Sequence, residues 1–541
     1  MNTGSCRLLS GFVILAAALP LVGATPAATF NVRDYGATGK KADDARGAIQ
    51  RAIDECARNG GGTVYLPPGE YTSGTIILRS HVRLYIDSGA TLYASLDSRA
   101  FEKGALLYAE DAKNITLEGR GTIDGQAQYE WRTDELDDAY IRDNSLLMKG
   151  LGLPLRRSFP KGFPTEAHPK LVLLLRCQDV RIAGLSFVRS RSWTIHPYAC
   201  ERLVIDGIYI YSSLKEAVWA DGIDPDGCKD VRIANSTIET GDDAIVFYSM
   251  NFYGPALPCE NITVTNCRLS SASSALKFCD GNMNCIRRVT VNNTVITNSN
   301  RGLAFMVFDG GYVSDVVISN VTIDCTRHDW FWWGDGDPLH FNIRHRSEVH
   351  PQASKEKEPP AGSIRNIIIR DVIARGMGTS LINGHPDSWL DGITLQNIKL
   401  RLASDPQAHY QKGTQAMKIR WAQNLKLEGV EVVWDDAEPR KWDTALEAED
   451  VWGLELDGFS GRPARDEAGQ AAVVLRAAED VTIRHSRAGQ GTPVFLRVGP
   501  GSRRIRLYGN DLERAREAYV LDSGVSPAEV SADNSRMPAT K

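Results

Sequence analysis

The chain alternates apolar and polar residues in short runs that share one form. A polar residue opens the run, alternating aliphatics follow, an Asn, Asp or Gly breaks it, and another aliphatic closes it. The form is legible in N-I-T-L-E-G-R-G-T-I-D-G from Asn114, D-V-R-I-A-G-L-S-F from Asp179, R-L-V-I-D-G-I-Y-I from Arg202 and D-V-R-I-A-N-S-T-I from Asp230. It returns from Asn261, Arg288, Asp315, Asn366 and Gly392, with fainter copies at Asn424, Gly453, Asp480 and Arg504. Alternation with a period of two marks strands. Copies about 23 to 32 residues apart, outside the long insertions, have the period of a parallel β-helix. One coil is too thin to bury its own apolar face, whereas stacked coils bury a shared interior and leave their loops free on one flank. The expected fold is all-β, a right-handed parallel β-helix.

One segment departs from the strand pattern. Between Asp43 and Asn59 the residues Ala48, Ile49, Ala52, Ile53, Cys56 and Ala57 recur at helical spacing, and the run stops at Gly60-Gly-Gly. This predicts an amphipathic helix. Placed before the first coils, it can cap the open end of the stack, whose unpaired strand edge would otherwise invite aggregation. The coils are expected to form one domain, 29–522, with loop insertions at 131–169 and 325–360 and a polar tail, 523–541. Ahead of them, Arg7 precedes an apolar run from Leu8 to Val22 and small residues from Gly23 to Ala28. That order reads as a secretory signal, 1–24, cleaved between about 24 and 28, and predicts a secreted or periplasmic protein.

Composition mainly excludes. The 541 residues carry a net charge of −5, with 43% hydrophobic and 24% charged residues, ordinary values for a soluble globular chain. No clustered basic excess marks a nucleic-acid binder, and no later apolar run is long enough to span a bilayer. A monomer is expected, without metal or cofactor. Setting Cys6 aside leaves nine cysteines; Cys279 and Cys285 flank a short loop and could pair locally. Cys177, Cys200, Cys228, Cys259 and Cys267 fall near strand ends, where a small buried side chain is the expected role. No paired CxxC spacing argues for zinc. The repeat asparagines match glycosylation acceptors in N-I-T and N-V-T, yet Asn also bends a coil and can bond the coil above; the structural role is expected.

Chemistry concentrates between Trp219 and Ser249, in W-A-D-G-I-D-P-D-G-C-K-D-V-R-I-A-N-S-T-I-E-T-G-D-D-A-I-V-F-Y-S. Asp221 and Asp224 precede the short alternating strand at Val231, and Asp242 and Asp243 follow it. Asp221 and Asp242 are 21 residues apart, close to one coil, so both acidic clusters should share one surface at roughly the 4.8 Å strand spacing. Carboxylates that close repel, and at least one should keep a proton near neutral pH, the state a general acid needs. The bland alternative, that Asp and Gly here serve only as turn residues, accounts for an isolated G-D-D but not for its setting. In the second insertion Trp330, Phe331, Trp332 and Trp333 suit stacking on sugar rings, and Arg344, His345 and Arg346 offer donors to hydroxyls or carboxylates. The aromatics could equally pack the loop against the coils.

The opening N-V-R-D-Y-G-A, then G-G-G-T-V-Y-L-P-P-G-E-Y, G-R-G-T-I-D-G ending at Gly125, and S-W-T-I-H-P-Y-A-C-E-R-L from Ser192 together resemble glycoside hydrolase family 28. This is the polygalacturonase and rhamnogalacturonase group of secreted β-helix enzymes. The resemblance runs from Asn31 to about Leu400. It implies inverting hydrolysis, with Asp242 as general acid and with Asp221 and Asp243 holding and deprotonating the attacking water. The candidate substrate contacts are Trp219, Asp224, His196, Ser274, Lys277, Arg301, Trp332, Trp333, Arg344 and His345.

Three departures stand against a plain polygalacturonase. The family's N-T-D reads Trp219-Ala220-Asp221, its G-H-G reads Ser273-Ser274-Ala275, and its R-I-K reads Ala304-Phe305-Met306. Losing the Arg and Lys that the family resemblance places on the uronate carboxylate removes charge-assisted bonds worth about 1.5–3 kcal/mol each. Either another cation takes over, with Lys277, Arg301, Arg344 and His345 as candidates, or that sugar is neutral. The expected substrate is a pectin-like polysaccharide or oligosaccharide other than unsubstituted homogalacturonan, with exo action favoured by the long loops. The open alternatives are a carbohydrate-binding β-helix that has lost catalysis and a polysaccharide lyase, whose acidic cluster would bind calcium.

Overall fold

The structure is a computed structural model and describes Met1 and residues 28–129, 168–217, 219–328, 334–349, 358–404, 415–436 and 442–536. Nearly all of the expected leader and of the first insertion, and residues 329–333 and 350–357 of the second, with Trp332 and Trp333, therefore lie outside the described residues.

The repeats become rungs of a parallel β-helix. Ile115 pairs with Val180, Val180 with Leu203, Leu203 with Val231, and Val231 with Ile262. The column continues through Val289, Val316, Ile367 and Ile393. Each copy of the repeat thus delivers its aliphatic residue to the same position in the interior, where it is fully buried. Such burial contributes roughly 1.5–3 kcal/mol per side chain, and it penalises any slip of register, since a one-residue shift would turn the aliphatics outward. A second column stacks Phe247, Phe278, Phe305 and Phe341 with ring centroids 5.3, 4.3 and 4.3 Å apart.

The helix spans Arg46–Arg58 and turns Ala48, Ile49, Ala52, Ile53 and Cys56 into the core beside the first coils. The repeat asparagines take the structural role. Asn235, Asn261, Asn266, Asn366, Asn397 and Asn424 hold left-handed φ values near 55°, which Asn tolerates better than most residues. Their amides also bond the coil below, as in Asn261 to Asp230 at 2.8 Å and Asn397 to Asp371 at 2.8 Å. The corner residue both bends the chain and fastens adjacent coils.

Two expectations change here. Cys279 and Cys285 do not pair: both are buried free thiols, and Cys279 Sγ donates to Asp280 Oδ1 at 2.9 Å. The other seven described cysteines are also buried and free. At the far end the strand Val530–Asp533 pairs with Arg503–Tyr508, so the stacking enters the segment expected to be a tail. No helix among the described residues is long and apolar enough to cross a membrane.

Candidate active site

The acidic residues are brought together by two tight turns and one register. A Cβ on Gly222 would lie 2.3 Å from the carbonyl oxygen of Ala244, and one on Gly241 would lie 2.2 Å from that of Ala217. Only glycine lets the W-A-D-G and G-D-D turns close on their neighbours. Ile195 pairs with Ile223, and Ile223 with Ile245, so the coil from Ile223 to Ile245, between the two acidic turns, is 22 residues long. Asp221 therefore stacks on Asp243, and the Gly222 amide donates to the Asp243 carbonyl at 2.9 Å. The 21-residue spacing suggested Asp242 as the partner; Asp242 instead sits one residue aside. Its Oδ2 accepts the Trp219 amide at 3.3 Å and its Oδ1 the Asp243 amide at 3.0 Å.

The same register extends in both directions. Val172 pairs with Ile195 and Ile245 with Leu276, so two positions earlier Lys170, Trp193, Asp221, Asp243 and Ser274 occupy successive rungs. Ser274 continues to Arg301 and Arg301 to Asp337. One column thus reads cation, aromatic, acid, acid, hydroxyl, cation, acid along the helix axis.

The four aspartates are held differently. Asp243 is buried and accepts Lys277 Nζ at 2.9 Å, Ser273 Oγ at 2.8 Å and the Ser274 amide at 2.9 Å. Asp242 is pushed up to about 7 by burial and then by the charge of Asp243. Asp221 is raised well above the carboxylate range by burial and then by Asp242, Asp224 and Asp243. Asp224 is raised by burial, and neither of its oxygens finds a hydrogen-bond partner in the structure. For Asp221, Asp224 and Asp242 the dominant cause is the cost of removing a carboxylate from water, with repulsion from neighbouring carboxylates added. Because these groups are coupled, a proton on Asp242 removes one of the charges that hold Asp221 up, and the cluster titrates as a unit.

Several predicted contacts play other parts. His196 is fully buried among Trp193, Phe252 and Tyr253, with Nε2 3.6 Å from Asp226 Oδ2. Burial and then Lys170 lower its pKa, so it is a neutral packing residue and not a substrate contact. Ser274 is also fully buried and acts on Asp243 through its amide. Lys277 is no spare cation: burial opposes its charge, but Asp243 and Asp280, at 2.9 and 3.1 Å, hold its pKa above the usual value. Arg301 is buried 3.9 Å from Asp337. Trp219 is 36% exposed and has a φ of 65°, an outlier for a bulky residue. That conformation accompanies its amide bond to Asp242.

The second insertion folds back over the motif that lacks its cations. Ala304, Met306 and Phe308 form an apolar patch packed by Val349. Arg346 lies 5.5 Å over the Phe308 ring and pairs with Asp309 and with Asp280, the latter at 3.0 Å. Arg344 is exposed with Nε 3.4 Å from Asn342 Oδ1. His345 is not at the acid cluster; its ring packs 4.9 Å from His385, which follows the Ser380–Asn383 rung. Ligand atoms of His345, His385 and Asp387 lie within 4.8 Å of one another. His385 Nδ1 already accepts the Asp387 amide at 3.1 Å, so a metal there would have to displace a hydrogen bond.

Two residues went unnoticed in the sequence. Asp226, raised to about 7 by burial, was signalled by the period-two spacing of D-P-D. Lys170 was not signalled, because its place in the column depends on coils separated by the first insertion.

A parallel β-helix with a buried cluster of aspartates on one flank, one of them poised to carry a proton near neutral pH, is the arrangement of a sugar-cleaving hydrolase. Residues 29–133 match the family model for rhamnogalacturonase A/epimerase, pectate lyase-like proteins, and residues 158–328 match that for glycosyl hydrolases family 28. The chain is 26% identical over 385 residues to a protein of Vitis vinifera described as a probable polygalacturonase, covering 69% of this chain and 74% of that one. Among solved structures it resembles the exopolygalacturonase of Thermotoga maritima, with a TM-score of 0.58, 22% identity and coverage of 75% and 92%. It also resembles the family 28 exopolygalacturonase of Yersinia enterocolitica, with a TM-score of 0.62, 19% identity and coverage of 80% and 79%. The chain is a glycoside hydrolase, and over residues 158–328 it resembles family 28.

Proposed function

We propose that this protein is an inverting hydrolase of a pectic polysaccharide or oligosaccharide other than unsubstituted homogalacturonan, working from a chain end. Asp242 is the general acid: it passes its proton to the glycosidic oxygen as the bond to the anomeric carbon breaks. A water held by Asp221 and Asp243 attacks that carbon from the opposite face and gives its proton to that pair, in which Asp243 is fixed by three donors. Inversion needs acid and base about 6.5–9.5 Å apart to admit the water. The observation that carries the reading is the elevated pKa of Asp242 at about 7, caused by burial and by Asp243. Such a carboxyl is protonated in an appreciable fraction of molecules at neutral pH, as general acid catalysis requires.

The substrate reading rests on the apolar patch of Ala304, Met306 and Phe308 where the family motif has cations, since a uronate carboxylate would lose its partners there. The exo reading is supported by the fold-back of Arg346 onto Asp280 and Asp309 at that end. The apolar run 8–22 supports export. The test is product analysis of wild type and Asp242→Asn on pectic, branched and neutral plant polysaccharides, with anomeric configuration followed by NMR. An inverted sugar released by wild type alone is the expected result; retained configuration, or equal release by the variant, overturns the assignment.

A further inference from the structure

We propose that Lys170 and Trp193 form a uronate-binding subsite on the side of the acid cluster opposite the apolar patch, so that the bond cleaved joins an acidic sugar to a neutral one. The proposal rests on the hydrolase reading above.

The column of rungs carries a cation on each side of the acid pair, Lys170 on one and Arg301 on the other. Beyond Ser274 stands Arg301, but it is buried and faces Asp337, and the next outward positions are apolar. The cations Lys277 and Arg346 are both engaged by buried or half-buried carboxylates. On the other side stands Lys170. It is half-buried, its Nζ lies 4.8 Å from the centre of the Trp193 ring, and among the described residues no carboxylate lies within ion-pair distance of it. Its charge is nonetheless felt by the cluster: burial lowers its pKa, while Asp224, Asp221 and Asp226 raise it.

Two rungs separate Lys170 from Asp221, roughly 9.6 Å at about 4.8 Å per strand. An extended ammonium side chain covers part of that distance. Lys170 thus offers a cation able to pair a carboxylate, held over the Trp193 ring, whose half-buried edge can contact the sugar bearing it. Trp193 is held by stacking on Tyr248, with centroids 4.8 Å apart, so the platform is rigid. Neither residue serves Asp242 or Asp243 by a hydrogen bond, which distinguishes this pair from Lys277.

The test compares wild type, Lys170→Met and Lys170→Arg on a galacturonate-containing pectic oligosaccharide and on the same oligosaccharide with its carboxyls reduced to alcohols. Lys170→Met is expected to raise KM about tenfold or more on the acidic substrate, as for loss of a charge-assisted bond. It should leave kcat within about twofold and the reduced substrate unaffected, and Lys170→Arg should restore most of the loss. Equal losses on both substrates, or one pH-profile shift common to both, would mean that Lys170 only balances the aspartates, and the subsite is then wrong. Should wild type cleave neither substrate, the hydrolase reading fails by itself. The subsite is then decided by calorimetry of a galacturonate trisaccharide with Asp242→Asn, with and without Lys170→Met: weaker binding in the double variant supports it, and equal or absent binding overturns it.

Discussion

The rungs around Asp221 and those around Lys418 belong to one solenoid and obey opposite rules. In the later coils opposite charges stack: Lys418 pairs in register with Glu447 and Arg420 with Glu449, at 3.1 and 3.4 Å. In the earlier coils like charges stack, Asp221 on Asp243, and oxygens of Asp221, Asp224 and Asp226 have no hydrogen-bond partner in the structure. Complementary pairs on adjacent rungs favour stacking; adjacent buried carboxylates oppose it. The same register therefore does two jobs, and the coils with unfavourable charge order are where chemistry is to be sought.

The strongest way to break this contrast is Asp242→Asn. Cleavage of the wild-type substrate should fall by about 10²–10⁴-fold, the range for loss of a general acid, while the melting temperature rises because a buried carboxylate has gone. A variant that loses activity and stability together would show Asp242 to be structural. Next in size is Lys277→Met, which strands Asp243 and Asp280 without their ammonium. Removing one partner of a buried pair costs about 3–5 kcal/mol, measurable by urea unfolding, with a fall in kcat alongside.

The pH dependence sharpens the comparison. The folded pKa values of Asp242 and Asp226 stand at about 7, and those of Asp221 and Asp224 are raised as well, above the usual unfolded value near 3.9. Between the two values the native state binds more protons than the unfolded one, so stability falls as pH rises. The contribution is full below the unfolded pKa and is lost once pH passes the folded one. The melting temperature should be higher at pH 5 than at pH 8, with a smaller difference in Asp242→Asn; a flat profile would remove the buried acids from the account. Smallest of all is Lys418→Met in the later coils. Its half-exposed pair should contribute at most about 1 kcal/mol, and kinetics should not change; a clear loss of activity would tie the two regions together.

What could be read in the chain follows from how local each signal is. The aliphatic of each repeat, the corner asparagine and the helix before Gly60 act within a few residues of themselves, and the β-helix, its cap and the asparagine bonds were legible from them. Asp221, Asp242 and Asp243 were legible as a cluster because one coil is short. Their pairing was misjudged by one residue because the exact coil length depends on turns closed by Gly222 and Gly241. His196 and Ser274 looked available to a substrate, but burial by Trp193, Phe252 and Tyr253 in one case and by the next coils in the other is a property of the stack. Cys279 and Cys285 looked pairable for the same reason.

Alternation and period alone determined that this chain coils in parallel, that its interior is apolar, and that three aspartates lie within about one coil of each other, because those are consequences of adjacent residues. Only the tertiary structure decided which rung faces which. It put Lys170 in line with Asp221, tied Lys277 to Asp243, laid Arg346 over the place of the missing cations and raised the acids by burying them. Charge interactions depend on distance through space and on exclusion of water, and neither is written in the order of residues.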